Sequence, residues 1–130
     1  MCDDDGIYLN RAANSVVDHN TLLDTAGIDA RFPETSARVE ANIVDGTVRS
    51  RNGGSIQAAD NATPFLLGLF VGLHPQRSYF NAPGRLDLTW AEEPVRVPNN
   101  DLSADLCGQR RGPEAFPGAF DDFAFCLIDR

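Results

Sequence analysis

Arginines carry the first chemical signal in this sequence. Arg11, Arg31 and Arg51 are evenly spaced, so a chain that repeats with that period would carry them as a guanidinium stripe. A guanidinium offers paired N–H donors that match a carboxylate or a sulfate bidentately, and such a stripe can grip an acidic polysaccharide. The alternative is a set of solvated arginines, paired with Asp29 or Asp45 and nearly neutral in energy, as exposed ion pairs usually are. All eleven cations are arginine and lysine is absent, which excludes a lysine Schiff base, a P-loop lysine or a lysine general base. Cys2, Cys107 and Cys126, with His19 and His74, match no zinc spacing. Asp3, Asp4 and Asp5 have the oxygen ligands calcium takes, yet three consecutive aspartates also describe a solvated charge run. No metal and no cofactor are therefore expected. His19 reads as a turn or surface residue rather than a general base, because no partner accompanies it in the sequence. No nucleophile elbow, Walker A loop or dinucleotide fingerprint occurs.

The elements that would position these residues follow from composition and periodicity. With 130 residues, 42% hydrophobic and 23% charged, the chain has ordinary globular composition and the length of one domain. A net charge of −8 argues against nucleic-acid or anionic-membrane binding. The longest apolar run, Phe65 to Leu73, is nine residues, where a membrane helix needs about 20. Met1 to Gly6 has neither the basic nor the apolar region of a signal peptide and reads like a beginning cut from something longer.

A repeat runs from Gly6 to Ala62, with a period of about 20 residues that is typical of solenoids. Ile7, Ile28 and Val48 form one column of it, and Asn20, Asn42 and Asn61 another. Between them falls a third column, Val17, Val39 and Ile56. Each piece is three to five residues with period-2 alternation, and no apolar stripe of helical period persists. Short strands at this period, with one Asn per turn, describe a parallel β-helix in which one repeat makes one coil. The Asn column is expected to sit at tight bends, adopting the left-handed conformation, and to form a hydrogen-bonded ladder from coil to coil. One coil cannot bury its own apolar face, so two and a half coils are marginal and look like the end of a longer stack.

Residues 6 to 62, spelled GIYLNRAANSVVDHNTLL and then GIDARFPETSARVEANIV, resemble the right-handed parallel β-helix repeat proteins of the pectate-lyase-like superfamily. The tail, DLCGQRR from Asp105 to Arg111 and PGAFD from Pro117 to Asp121, is similar to the ending of many bacterial members, with Asp where those have Glu. The resemblance implies an all-β, right-handed parallel β-helix (solenoid). Residues 1–63 would be its last two to three coils, and 64–130 a terminal coil remnant with an irregular C-terminal cap. Phe65 to Leu73 would cross an open end, and Leu86 to Trp90 would form one further strand.

The resemblance also implies an extracellular or cell-surface location and a sheet lining a carbohydrate groove. On that sheet Tyr8, Asp29 and Arg49 would face outward, bordered by Arg11, Arg31 and Arg51. Lyases of the superfamily abstract a proton next to a uronate carboxyl with Arg or Lys, assisted by calcium or a second basic residue, so calcium would belong to a longer parent protein. No complete site of this kind is assembled here, and the catalytic residues are left unassigned. The leading expectation is a carbohydrate-associated module whose open N-terminal end meets further upstream coils or a second copy. The alternatives are a polysaccharide lyase using Arg31 or Arg49, a surface adhesin, and a truncated reading frame without function. If the chain is exported, Cys107 and Cys126 could bridge with Cys2 left over; otherwise all three are small buried hydrophobes.

Overall fold

A computed structural model describes residues 5–62, 79–99 and 103–127. Its first part is a run of short strands: β1 (Ile7–Asn10), β2 (Ser15–Asp18), β3 (Thr21–Leu22), β4 (Gly27–Arg31), β5 (Ser36–Glu40), β6 (Ile43–Val44), β7 (Thr47–Arg51) and β8 (Ser55–Ala59). Every third strand pairs in parallel, giving three sheets in the orders β1-β4-β7, β2-β5-β8 and β3-β6. The fold is thus mostly β, with stacked parallel sheets. β-Branched residues recur at the same place in each unit, which is what a strand buried on one face selects.

Register decides which side chains stack. Ile7 pairs with Ile28 and Ile28 with Val48, so this aliphatic column runs straight. Val17, Leu22, Ile28, Ala37, Val39 and Val44 form the apolar core, with Ile7, Leu9, Val48 and Ile56 packed against it. The third column differs from expectation in its last member. Val39 pairs with Ala58, while Ile56 pairs with Ala37. The turn before β8 is one residue shorter, Asn52, Gly53 and Gly54 against Phe32 to Thr35 before β5, which brings Ala58 opposite Val39 and leaves Ile56 two positions earlier, opposite Ala37. A shift of two keeps Ile56 on the inward face, since strand alternation has period two.

The bends also depart from the sequence reading. The left-handed residue is the one before each ladder asparagine: His19 (φ 53°), Ala41 (φ 56°) and Asp60 (φ 60°). The corner therefore turns at residues with a Cβ. That strain is offset by the bonds Asn20, Asn42 and Asn61 make beside it. At the corner before β4 and β7, two glycines are required. Gly27 (φ 112°) and Gly46 (φ 96°) occupy a region L-residues avoid, and a Cβ on Gly46 would lie 2.2 Å from the carbonyl carbon of Ala26. A Gly46→Ala variant should accordingly lose about 2–4 kcal/mol, from the positive φ together with the clash. Urea unfolding followed by circular dichroism checks this.

The C-terminal part holds two small antiparallel pairs. β9 (Phe80–Ala82) pairs with β10 (Asp87–Trp90), and β11 (Val97–Pro98) with β12 (Glu114–Ala115). A single helical turn, α1 (Phe123–Cys126), follows, with Asp122 capping it by accepting from the Ala124 N–H. The expected further strand is β10. Part of its described surroundings packs on the outer side of the β3-β6 sheet. Ile43, Phe80 and Phe120 are buried together, with Leu23, Ala62, Trp90, Ala119 and Cys126 around them. The Gly118 N–H donates to the Ala41 carbonyl, and the Ala119 N–H to Thr21 Oγ1. Alternation explains this placement: Leu22 and Val44 point into the core, so their neighbours Thr21 and Ile43 face out and must be covered. The run Phe65 to Leu73 lies outside the described residues. Cys107 and Cys126 are joined by a disulfide, their Cα atoms 5.1 Å apart, and Cys2 lies outside the described residues.

Candidate functional site

The outer face of the first sheet brings most of the anticipated residues together. Tyr8 pairs with Asp29, and Asp29 with Arg49; Asn10 pairs with Arg31, and Arg31 with Arg51. Because alternate residues share a face, these six belong to one side of three adjacent strands.

Arg11 does not join that column. Ile7 stacks on Ile28 and Ile28 on Val48, so the first unit is longer than the second by one position, and the even spacing of the arginines falls out of register there. Arg31 stacks on Asn10, and Arg11 sits beyond the end of β1 with φ 54°. The two arginines meet on an aromatic ring instead. Their guanidinium carbons lie 4.2 Å (Arg11) and 4.5 Å (Arg31) from the centroid of Phe32. Contacts of this kind hold a cation in place without neutralising it. Arg11 also lies 3.9 Å from Glu34, and Arg31 Nε donates to Asn52 Oδ1 at 2.8 Å.

Asp29 faces outward by alternation yet is fully buried. Arg51 Nε donates to Asp29 Oδ2 at 2.7 Å, while Arg49 Nη2 lies 3.6 Å from the same oxygen and 3.8 Å from Asp5. The two arginines therefore roof the carboxylate and withhold it from a ligand. Arg51 is tied to the buried charge, since removing one partner of such a pair strands the other. Arg49 is half exposed and loosely paired, and Tyr8 is 43% exposed. Asp45, the other anticipated arginine partner, accepts from the Asp24 N–H at 2.9 Å and holds the corner before β4.

The asparagine column is bonded from coil to coil. Asn42 Oδ1 accepts from the backbone N–H of Asn20 at 2.8 Å and from Asn20 Nδ2 at 3.0 Å. Asn61 Oδ1 accepts in the same way from Asn42, at 3.1 and 2.8 Å. The second amide hydrogens reach inner-strand carbonyls, Asn42 to Val17 and Asn61 to Val39. A second internal staple had no repeating signal to reveal it. Thr35, fully buried, donates to the Arg31 carbonyl and accepts from the Ala12 N–H.

The tail motif forms its own cluster. Arg111 Nη2 donates to the Gly118 carbonyl at 3.0 Å and lies 3.1 Å from Asp121 Oδ1. Asp105 accepts from the N–H groups of Cys107, Gln109 and Asp121. The Trp90 indole donates to the Asp121 carbonyl.

His19 is in a turn, as expected, but not at the surface. It is buried between the bend after β2 and the tail, with Nδ1 3.7 Å from Asp18. Burial is the main cause that pushes its pKa below 6.5, Arg111 adds to it, and Asp18 and Asp121 oppose. A depressed pKa means that the folded state favours neutral imidazole. The associated stability is complete above the ordinary histidine value and is lost as pH falls towards the folded one. Thermal melts carried from neutral into mildly acidic buffer should therefore decline, and a His19→Asn variant, which tolerates the positive φ, should flatten that decline.

Among the described residues, no group of three or more His, Cys, Asp or Glu is placed to hold a metal ion. Asp3 and Asp4 lie outside the described residues, as does His74. No described helix is long and apolar enough to cross a membrane. Comparison with protein families, with curated proteins and with solved structures found no match.

Proposed function

We propose that this chain is the C-terminal part of a secreted, right-handed parallel β-helix protein, and that it serves as a module binding acidic polysaccharide. The observation that carries the reading is the first sheet's outer face, where Arg31, Arg49 and Arg51 project from adjacent strands beside the exposed ring of Tyr8. Strands in a sheet lie about 4.8 Å apart, so Arg31 and Arg51, which pair across β4 and β7, are spaced on the scale of one sugar residue, and Arg49 lies two residues along β7. Exposed ion pairs contribute only about 0–1 kcal/mol. Arg49 and Arg31 can therefore exchange Asp5 and Asn52 for a ligand carboxylate at little cost. Further coils upstream, or a second copy, would pair with the outer edges of β1, β2 and β3, which have no strand partner among the described residues.

Affinity electrophoresis in gels containing polygalacturonate, alginate or neutral dextran tests the proposal. Retardation is expected with the uronates alone and should weaken with salt. Arg31→Ala with Arg49→Ala should reduce it by about tenfold or more. Equal retardation by dextran, or an unchanged double variant, would overturn it. Release of unsaturated uronate absorbing in the ultraviolet, abolished by Arg31→Ala or Arg49→Ala, would instead establish the lyase reading.

A further inference from the structure

Phe32 holds a place its chemistry disfavours. It follows Arg31 as Arg11 follows Asn10 and Asn52 follows Arg51, so the three residues mark the same corner of successive coils. All three are left-handed, with φ 54°, 77° and 53° in chain order. Asparagine tolerates that region, whereas a bulky aromatic is strained in it. Nor does the ring serve the interior, since it belongs to neither apolar cluster. It carries the guanidiniums of Arg11 and Arg31 instead. Strain of this kind persists where it sets up a functional group.

The donors of these cations are largely unspent. Arg11 gives one N–H to Asn10 Oδ1 at 3.1 Å, and Arg31 gives one to Asn52. A ring against a guanidinium occupies none of the donors in its plane. Arg11 Nη2 and both terminal nitrogens of Arg31 therefore have no hydrogen-bond partner among the described residues. With Arg49 this makes one loosely held guanidinium per coil, on a line that crosses the strands obliquely: Arg11 beyond the end of β1, Arg31 at the end of β4 and Arg49 in the middle of β7. Arg51 is left out of that line because its Nε is tied to Asp29.

We propose that Arg11, seated on Phe32, is a third anion subsite of this face, and that the ligand presents one acidic group to each coil. The inference rests on the reading of the first sheet as a binding face for acidic polysaccharide. Adjacent coils are about 4.8 Å apart, so acids on three consecutive sugars are needed to meet Arg11, Arg31 and Arg49 together. A polymer with an acid on every second sugar leaves Arg31 unmatched. The class this selects is a uronate charged on every residue. Two exposed or partly exposed acids compete with it, Glu34 at 3.9 Å from Arg11 and Asp5 at 3.8 Å from Arg49. Both pairs are beyond hydrogen-bond distance, and a ligand carboxylate displaces such contacts at little cost.

Titration calorimetry of the full chain with galacturonate dimer, trimer and tetramer at low salt tests the proposal. Affinity should rise by about tenfold or more from dimer to trimer, and little from trimer to tetramer. Arg11→Gln should erase the gain from dimer to trimer. Phe32→Asn should erase it too, without lowering the melting temperature, because asparagine accepts the left-handed backbone. Glu34→Gln, which removes the competing acid, should strengthen trimer binding. Arg38→Gln takes a charge from the second sheet, where Arg38 meets Glu40, and should leave the gain intact. A hyaluronan tetramer, whose acids alternate, should bind about tenfold more weakly than the galacturonate tetramer. A trimer held no better than the dimer, a gain that survives Arg11→Gln, an equal loss in Arg38→Gln, or equal affinity for hyaluronan would each overturn the third subsite, while dimer binding would leave the polysaccharide reading standing. Absence of binding by every galacturonate oligomer would overturn both.

Discussion

Asn42→Ala should be the most damaging single change in the stacked strands. Asn42 is fully buried and bonds in both directions along its column, accepting two hydrogens from Asn20 and donating two to Asn61. Alanine keeps the backbone N–H that bonds to Asn61 but removes the amide. The Asn20 N–H and the Val17 carbonyl then lose their partner, as does one bond to Asn61. Each buried group left unsatisfied costs about 1–3 kcal/mol, and the total is on the order of 4 kcal/mol. Small domains hold about 5–15 kcal/mol altogether, so the variant should be largely unfolded or melt far below the parent. Asn20→Ala makes the comparison internal. Asn20 is only partly buried, at the end of the column, and its side chain gives one bond to Asn42 and one to Asp18. Its loss should cost about 1 kcal/mol. Equal urea midpoints for the two variants would contradict the ladder's role.

Arg111→Leu should release the tail. The side chain is wholly buried, and its charge is matched by Asp121 at 3.1 Å. Leucine roughly keeps the volume but leaves Asp121 without its counter-ion and the Gly118 carbonyl without a donor. Breaking a buried pair on one side costs about 3–5 kcal/mol. The stacked strands keep their own hydrogen bonds, so the loss should concentrate in residues 79–127. Limited proteolysis should cut there first, and the disulfide should hold the Cys107 and Cys126 fragments together until reductant is added. Cleavage spread evenly through residues 7–59 would show that the arginine supports the whole fold. Arg111→Leu combined with Asp121→Leu should recover part of the loss, because replacing both charges by apolar groups removes the stranded one.

These two residues illustrate different degrees of legibility. The asparagine column could be read because a coil's closing bend recurs, and a residue that bonds to its own copy must recur with it. Even so, the bend's left-handed conformation belongs to His19, Ala41 and Asp60, which share no residue type and left no column to notice. Arg111 was visible as part of a tail pattern, but its partners Asp121 and Gly118 came with no stated geometry. The core columns were legible for the simplest reason: an inward strand position tolerates only apolar residues, so Ile7, Ile28 and Val48 mark the period directly.

The arginines show where reading stops. Their types and spacing pointed to one face, and Arg31, Arg49 and Arg51 share it. Arg11 looked equivalent because it is evenly spaced with the others, but register is set by where the aliphatic residues pack, and that lengthened the first unit by one position. Such a shift exchanges one side of a strand for the other. Burial of Asp29 was equally hidden, because it depends on Arg49 and Arg51 folding back over a neighbouring strand.

A β-rich chain of short repeating strands, with inward aliphatic columns and an asparagine column, can be read from the residues alone. These features follow from local alternation and from contacts between copies of the same position, both of which leave a periodic trace. Three-dimensional packing was needed to reveal which arginines are loosely held, that Asp29 is roofed, and that the tail lies along β3 and β6 with His19 and Arg111 beneath it. Those contacts join unlike residues far apart in the chain, and packing between unlike partners imposes no spacing that a single sequence can display.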